Sequence, residues 1–330
     1  MKYRKLGRAD LLCSVIGFGC WGLGGVAYGP ISEKTSKKVL DKSFEKGLNF
    51  FDTSDLYGFG DDGRSEKILG RVFKKKRDKI ILASKFGLLP HDGWFMPERY
   101  NLSYLNIALE KSLRRLNTDY IDLIQLHSPS MATLKNKNKM LEIISFLKKK
   151  KKEGKIRYFG VSVRSPKDAL FVVKNYRSFY SIQTNFNIID QRIIENNLIE
   201  KCHKFKVGII ARTPLVYGYL TGKINEQKKL LGKDHRKKWN KKQLKIWANA
   251  PKIFEKLIKN KKMTITQFCL LFCTSFQSVT TTIPGMMSLR HVNENLQAGK
   301  FNKLTKKETD EIFELYKSHS WINLTNKKNV

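Results

Sequence analysis

The sequence predicts an α/β fold: a (β/α)8 barrel of the TIM type with an N-terminal β-hairpin cap. Apolar runs of strand length alternate with amphipathic runs of helix length nearly to the end of the chain, and there are eight such strand-like runs. The chain has 330 residues, room enough for eight strand–helix units, so we expect residues 1–330 to form a single barrel domain. Alternation of this kind implies parallel strands with helical crossovers, for which a doubly wound open sheet is the alternative.

The predicted elements follow one another in a regular order. Residues 1–14 alternate polar and apolar around Gly7 and Arg8, which predicts a small hairpin over the bottom of the barrel. The eight predicted strands lie in the segments VIGFG, LNFFDTS, KIILASKFG, YIDLIQLHS, IRYFGVSV, FYSIQTNF, VGIIART and VTTTIPG. The predicted helices cover residues 32–46, 65–73, 102–116, 134–153, 166–175, 195–205, 250–259 and 264–276. One amphipathic helix follows Asn302, and residues 318–330 are a polar tail.

The net charge of the chain is strongly positive. Lysine and arginine total 64 against 29 acidic residues, a formal charge of +35. Such a charge suggests a nucleic-acid partner, but the lysines are scattered over the whole length, and no zinc-finger spacing, RNA-binding signature or single basic arm accompanies them. We therefore expect a solvated basic surface that attracts anionic small molecules, and no nucleic-acid partner.

The cysteines predict neither disulfides nor a metal site. Five cysteines are present and none forms a C-x-x-C pair. Cys269 and Cys273 lie one helical turn apart in an apolar segment, which is typical of buried thiols.

The N-terminus resembles a signal peptide, but Asp10 interrupts it and no small-residue cleavage site follows. With no later segment of membrane-spanning length, we expect a cytoplasmic protein without a membrane partner.

One glycine motif near the N-terminus fits two different structures. Gly17, Gly19 and Gly22 spell G-x-G-x-x-G, the pattern of a Rossmann phosphate-binding turn. A Rossmann domain would place an acidic residue about 20 residues later, where Asp41 lies inside a helical pattern. We therefore interpret the motif as the end of the first barrel strand and its loop, with the glycines leaving room for ligands.

Reactive side chains gather at the ends of successive predicted strands. Asp52 ends the second strand, Lys85 the third and His127 the fourth, and Tyr57 follows Asp52 in its loop. Because the carboxyl ends of parallel strands share one mouth of a barrel, we expect these four side chains to converge there.

These four residue types suit one kind of reaction. A tyrosine hydroxyl, with a free pKa near ~10, is a poor acid at neutral pH, but a neighbouring ammonium lowers that pKa. A carboxylate can orient the ammonium, and a neutral histidine can position a carbonyl. Together they suit a reaction that protonates an oxygen as negative charge develops on it, such as hydride addition to a carbonyl from a cofactor.

Several segments resemble the aldo-keto reductase family, in the family's order. FFDTSDLYGFGDDGRSEKILGRVF resembles the family signature, with Asp52 and Tyr57 in the catalytic places, ILASKFG matches with Lys85, and YIDLIQLHSP matches with His127. GVSV, IQTNFNIIDQR, TPLVYGYLTGK and IPGMMSLRHVNENLQA resemble its cofactor-binding segments. The resemblance runs over residues 2–315 and implies a metal-free (β/α)8 oxidoreductase that binds NADP(H), with NAD(H) as the alternative.

The resemblance also implies roles for individual residues. Tyr57 would be the general acid/base, Lys85 would lower its pKa, Asp52 would pair with Lys85, and His127 would orient the substrate carbonyl. The implied cofactor-binding residues are Ser162 and Gln183 on the carboxamide, Phe186 stacked on the nicotinamide, Pro214, Leu215 and Gly218 along the pyrophosphate, and Gly285, Ser288 and Asn295.

Two further predictions concern the mouth of the barrel. Trp21 and Trp94 are expected to wall the substrate pocket. Residues 222–247 are long and basic for a connection, so we expect them to fold over the cofactor and to become ordered when it binds.

The chain departs from the family pattern at two positions. Val163 stands where many members carry an asparagine that helps to hold the carboxamide, and Met287 stands where a basic residue often meets the 2′-phosphate of NADPH. The resemblance implies a carbonyl compound or sugar as the substrate, and the residues do not select among them. A cofactor-binding regulatory subunit of the same fold is the alternative function, although the complete set of four catalytic residues argues against it.

Overall fold

A computed structural model describes residues 1–59, 62–91, 96–225, 230, 234–259 and 261–322. The strands are β1 (Tyr3–Lys5), β2 (Leu12–Ser14), β3 (Phe18–Gly19), β4 (Phe50–Asp52), β5 (Ile81–Phe86), β6 (Ile121–His127), β7 (Ile156–Ser162), β8 (Ser181–Asn185), β9 (Gly208–Arg212) and β10 (Val279–Thr282). Strands β3 to β10 fall in the eight apolar segments singled out in the sequence, which confirms the predicted alternation.

The eight strands β3 to β10 form one parallel sheet in the order of the sequence. Parallel bridges pair Ile16 with Thr282 and Gly19 with Gly285, so the first strand also meets the last. The Gly17 backbone N–H donates to the Thr282 carbonyl at 2.8 Å within this seam. A doubly wound sheet reverses its strand order at a switch point, and this sheet never does, so the barrel prediction is confirmed.

The hairpin of β1 and β2 closes the bottom of the barrel, as predicted. Its strands pair antiparallel, with Tyr3 opposite Ser14. Arg4 Nη1 donates to the Val279 carbonyl at 2.7 Å, at the first residue of β10, which fixes the hairpin to the amino ends of the barrel strands. Leu6 and Leu11 are buried in the same apolar cluster as the interior side chains of the barrel. The hairpin thus leaves the opposite mouth of the barrel for function.

Helices surround the sheet on its outer face. They are α1 (Glu33–Glu45), α2 (Arg64–Phe73), α3 (Leu102–Leu116), α4 (Met131–Lys135), α5 (Lys137–Lys152), α6 (Pro166–Asn175), α7 (Arg192–Glu195), α8 (Leu198–Lys204), α9 (Lys241–Glu255), α10 (Ile265–Ser275), α11 (Leu289–Ala298) and α12 (Lys306–Lys317). Cys269 and Cys273 of α10 are buried free thiols, as expected. Of the helices in the described residues, none is both long and apolar enough to span a membrane.

One predicted helix boundary is wrong. The helix placed at residues 250–259 begins at Lys241, because the Asn240 side chain accepts a hydrogen bond from the Gln243 N–H at 2.7 Å and caps the helix there. Pro251 lies inside this helix rather than in its first turn. The last part of the predicted basic loop, residues 241–247, is therefore helical.

The G-x-G-x-x-G motif serves the closure of the barrel. A Cβ atom on Gly19 would lie 2.6 Å from the Ile283 carbonyl oxygen, and one on Gly22 would lie 2.3 Å from Met287 Sδ. Both contacts are with the segment that follows β10, so the glycines let the first strand and its loop pack closely against the last strand. This agrees with the interpretation of the motif as a barrel strand and its loop.

Candidate active site

The site residues share one face of their strands. In β4, β5 and β6, side chains that belong to the apolar interior of the barrel lie two residues before Asp52, Lys85 and Gln125. Because side chains alternate across a strand, the residue two positions on points to the same interior, one layer nearer the mouth. The strand pattern therefore directs the polar side chains into the barrel at the carboxyl ends of the strands.

A buried ion pair joins Asp52 to Lys85. Lys85 Nζ lies 2.6 Å from Asp52 Oδ2 and donates to the Thr53 carbonyl at 2.7 Å. The other carboxylate oxygen, Oδ1, accepts hydrogen bonds from Gln183 Nε2 at 2.7 Å and from Gln125 Nε2 at 3.2 Å. Both charged side chains are at most 2% exposed. Burial acts to lower the pKa of Lys85, but Asp52 and Tyr57 raise it by more, so Lys85 stays charged.

Tyr57 reaches this pair through its hydroxyl. Lys85 Nζ donates to Tyr57 Oη at 3.1 Å, and Tyr57 lines the cavity at the mouth of the barrel. Burial raises the pKa of Tyr57, and the Lys85 ammonium opposes that rise without cancelling it. Tyr57 is therefore protonated at neutral pH and bonded to a cation that favours its phenolate, which suits a general acid.

His127 lies beside Tyr57, with their ring centroids 6.3 Å apart. Its Nδ1 is 3.1 Å from Ser54 Oγ, and its backbone carbonyl accepts from Tyr100 Oη at 2.7 Å. Burial holds the pKa of His127 well below its usual range, and the Lys85 cation acts in the same direction. A neutral imidazole thus stands next to the Tyr57 side chain.

Ser162 and Gln183 are linked by hydrogen bonds to Asp52 of the buried ion pair. Ser162 Oγ donates to Gln183 Oε1 at 3.0 Å, while the amide nitrogen of Gln183 donates to Asp52. A primary amide has a second hydrogen and a second lone pair, so Gln183 retains bonding capacity on the cavity side. Val163 is fully buried and offers only its backbone in this region.

A cavity of about 650 Å³ opens above these residues. The predicted site residues that line it are Trp21, Asp52, Tyr57, Gln183, Pro214, Leu215, Gly218, Gly285 and Asn295. After β9 its wall includes residues in left-handed backbone conformations, Thr213 at φ 54° and Tyr217 at φ 56°. Strain of this kind in residues that lack a glycine's freedom is typical of functional sites.

Part of the basic segment, residues 222–247, crosses over this cavity. The His235 N–H donates to the Ala27 carbonyl at 3.0 Å, and Arg236 Nη1 donates to the Tyr217 carbonyl at 3.2 Å. These bonds connect the loop after β3 with the loop after β9, and Arg236 lines the cavity between them. Residues 226–229 and 231–233 of the segment lie outside the described residues.

The structure corrects the contact predicted for Phe186, and it does not describe Trp94. Phe186 is fully buried, and its ring centroid lies 5.3 Å from those of Phe272 and Phe276. Phe272 belongs to α10, so the Phe186 ring faces the helix layer and cannot stack on a nicotinamide in the barrel mouth. Trp94 lies outside the described residues.

Sequence reasoning missed other residues of the cavity wall. Arg212 ends β9 two residues after the interior side chain of Ile210, and it lines the cavity. Its Nη2 donates to the Val163 carbonyl at 3.1 Å. The strand-end rule that found Lys85 and His127 would have found Arg212 as well. Tyr28 and Tyr217, which also line the cavity, come from loops whose sequences carry no comparable signal.

Comparisons with known proteins agree with this geometry. The model of the Aldo/keto reductase family matches residues 15–317. "Uncharacterized oxidoreductase YqkF" of Bacillus subtilis is 31% identical, with 97% of this chain and 99% of that protein covered. "Aldo-keto reductase yakc [NADP(+)]" of Schizosaccharomyces pombe is 32% identical, with 94% and 90% covered. The holo form of an aldo-keto reductase from Bacillus halodurans superposes with a TM-score of 0.76 at 30% identity, with 96% of each chain covered.

The chain therefore belongs to the aldo/keto reductase family, oxidoreductases that act on carbonyls and alcohols with a nicotinamide cofactor.

The residues that line the cavity fit such a cofactor. Helix α11 begins at the cavity with Ser288 as its N-cap, and the N-terminus of a helix favours an anionic group. Arg290 and Asn295 of this helix line the cavity. Within the described part of the chain, Arg212 Nε is buried without a hydrogen-bond partner, as expected of a group that meets a ligand.

Metal ligands do not gather in this site. Among the residues that the structure describes, no group of three or more His, Cys, Asp or Glu side chains could hold a metal ion.

Proposed function

We propose that the protein is an NADP(H)-dependent oxidoreductase that interconverts a carbonyl compound (an aldehyde, ketone or sugar) and its alcohol, with Tyr57 as general acid/base. The observation that carries the proposal is the continuous chain from Asp52 through Lys85 Nζ to Tyr57 Oη, with contacts of 2.6 and 3.1 Å, at the floor of the cavity. The nicotinamide, when bound, supplies or accepts the hydride.

The side chains move and hold the proton. Tyr57 Oη donates its proton to the carbonyl oxygen as negative charge develops there, and Lys85 Nζ at 3.1 Å stabilises the phenolate that remains. Asp52 fixes the position of Lys85 and balances its charge within the buried site. His127 is neutral and orients the same oxygen. In the direction of alcohol oxidation, the phenolate of Tyr57 accepts the proton.

The cofactor would lie along the strand ends of the second half of the barrel. Ser162 and Gln183 would hold the carboxamide, Pro214, Leu215 and Gly218 would follow the pyrophosphate, and Gly285, Ser288 and Asn295 would hold the adenosine end. Trp21, whose ring centroid lies 6.4 Å from that of Tyr57, would form a wall of the substrate pocket.

A preference for NADPH is supported by the residues around Met287. The Met287 N–H donates to His291 Nδ1 at 3.3 Å, which fixes the His291 ring beside the start of α11 at the cavity. Arg290 and the Ser288-capped helix end add positive potential, and the Schizosaccharomyces pombe relative carries NADP(+) in its name. Because Met287 itself cannot bind a phosphate, we expect this preference to be weaker than in a protein with a basic residue there.

The test compares Tyr57→Phe with the unchanged protein and with Tyr176→Phe. Turnover of an activated aromatic aldehyde is followed by NADPH absorbance, and cofactor affinity by fluorescence titration. We expect Tyr57→Phe to lower kcat by about 100-fold or more with unchanged cofactor Kd. Tyr176 is a buried tyrosine that donates to the Leu134 carbonyl at 2.6 Å, and its variant should keep full turnover.

Two other outcomes would contradict the proposal. Unchanged turnover in Tyr57→Phe would exclude Tyr57 as the proton donor. Tight NADPH binding without turnover on a broad panel of aldehydes, ketones and sugars would favour the regulatory-subunit alternative.

A further inference from the structure

A short chain of hydrogen bonds leads from His127 Nδ1 through Ser54 to Asp55. Ser54 Oγ lies 3.1 Å from His127 Nδ1 and 2.9 Å from Asp55 Oδ1. Ser54 is fully buried and Asp55 is 6% exposed. The Asp52–Lys85–Tyr57 chain uses neither residue, so the proposed reaction leaves this second chain without a role.

The chemistry of a hydroxyl restricts how this chain can be protonated. Ser54 Oγ has one hydrogen to donate and two lone pairs, and it already accepts from the Leu56 N–H at 3.2 Å. If Asp55 is a carboxylate, Ser54 must donate to it and can only accept from His127, which then carries its proton on Nδ1. If Asp55 is a carboxylic acid that donates to Ser54, the hydroxyl donates to Nδ1, and the ring proton lies on Nε2. Both arrangements satisfy every group in the chain.

We propose that Ser54 and Asp55 are positioning residues that determine which ring nitrogen of His127 carries the proton. The inference rests on the proposed function, because it is Nε2, on the far side of the ring from Ser54, that would meet the substrate oxygen. With Asp55 neutral, Nε2–H donates to a carbonyl, as reduction requires. With Asp55 ionised, Nε2 accepts from an alcohol O–H, as oxidation requires.

The change from one arrangement to the other is balanced. The Asp55 proton passes to Ser54 Oγ as the Ser54 proton passes to Nδ1, and the Nε2 proton leaves to solvent or to a substrate oxygen. One proton is released, Asp55 gains one negative charge, and His127 is neutral before and after the change.

The surroundings of Asp55 place this change in an accessible pH range. Burial is the main cause that raises the pKa of Asp55 to about 8, and Glu66 of α2 acts in the same direction, while Arg115 of α3 opposes it. The groups that face His127 are Lys85, His91 and Arg212, and all three keep its pKa low. Tyr100 lies near both Asp55 and His127, and burial raises its pKa well above the usual range. Asp55 therefore changes its charge at a lower pH than Tyr57, whose pKa is raised from an ordinary value near ~10.

The experiment reads the tautomer directly in the full-length protein. Histidine labelled with ¹⁵N gives ring-nitrogen shifts that distinguish Nδ1–H from Nε2–H, and comparison with a His127→Gln sample assigns the signal. We expect Nε2–H at about pH 6 and Nδ1–H at about pH 10. In Asp55→Asn the side chain cannot ionise, and its carboxamide can either donate to Ser54 or accept from it, so one tautomer of His127 should persist at both pH values. Asp10→Asn is the matched control: Asp10 lies in the hairpin, its side chain is 84% exposed, and the unchanged switch is expected.

Kinetics give a second readout. In the unchanged protein, kcat/KM for aldehyde reduction should fall about tenfold per pH unit above the titration of Asp55. In Asp55→Asn that fall should move up to the titration of Tyr57, and in Ser54→Ala the pH dependence between about pH 7 and 9 should be lost. A single tautomer of His127 at both pH values in the unchanged protein, or a switch that persists in Asp55→Asn, would overturn the proposal. Because the tautomer is read without turnover, an absence of carbonyl reduction would refute the proposed function and leave this test intact.

Discussion

Replacing Lys85 with methionine should separate the structural and the chemical roles of the buried ion pair. Met has a similar length and no charge, so Lys85→Met leaves Asp52, which is 2% exposed, without its cation. Removing one partner of a buried pair typically destabilises a protein by about 3–5 kcal/mol. Asp52 Oδ1 keeps its two amide donors, Gln183 at 2.7 Å and Gln125 at 3.2 Å, while Oδ2 loses a bond of 2.6 Å. We therefore expect the lower end of that range, about 3 kcal/mol.

A second variant tests whether the loss comes from an uncompensated charge. In Asp52→Asn with Lys85→Met no charge is buried, so at least half of the lost stability should return. Turnover should not return, because Tyr57 has still lost the ammonium at 3.1 Å that stabilises its phenolate, and it should stay at least about 100-fold reduced. Urea unfolding without cofactor, followed by tryptophan fluorescence, gives the stability differences, provided that the m-values agree.

A surface pair serves as the control. Lys37 Nζ lies 2.5 Å from Asp41 Oδ2 on α1, but the lysine is 67% exposed. Lys37→Met should change stability by less than about 1 kcal/mol, because water screens exposed pairs. An energetic role of the buried ion pair would be refuted if Lys85→Met were as stable as the unchanged protein. A cost of the uncompensated Asp52 charge would be refuted if the double variant were no more stable than Lys85→Met alone.

Three further predictions follow from other parts of the site. Met287→Arg should tighten NADPH binding by about 1–3 kcal/mol with little effect on NADH, measured as the ratio of the two dissociation constants; an unchanged ratio would place the 2′-phosphate elsewhere. Burial raises the pKa of Asp55 to about 8 in the folded protein, so its contribution to stability is complete at low pH and is lost as the pH rises toward 8. Between about pH 4 and 8, the free energy of unfolding of Asp55→Asn should therefore rise relative to that of the unchanged protein by up to about 1.4 kcal/mol per pH unit, as measured by urea titrations. A constant difference would mean that Asp55 ionises freely. Prolonged chelator treatment should leave turnover unchanged, and activity that is lost and then restored by a divalent cation would contradict the metal-free mechanism.

The sequence alone determined the barrel and the positions of the main candidate catalytic residues. Strand and helix periodicities are local, so eight alternating units could be counted without a structure, and the hairpin and the end of each strand could be placed to within a few residues. Because parallel strands bring their carboxyl ends to one mouth, Asp52, Lys85 and His127 could be predicted to meet. The aldo-keto reductase resemblance then assigned chemistry to residues whose positions the periodicity had already given.

Only the tertiary structure decided contacts between distant segments. Phe186 follows β8, and in that strand Gln183 points into the barrel. Because side chains alternate between the two faces of a strand, Phe186 points outward to α10. Which face of β8 became the interior of the barrel depended on how the sheet closed. The close approach of Gly19 to Ile283 and the Ser54–His127 contact join residues far apart in the sequence. Such contacts are fixed by the close packing of whole strands when the barrel closes. The local periodicity of a sequence does not carry that information.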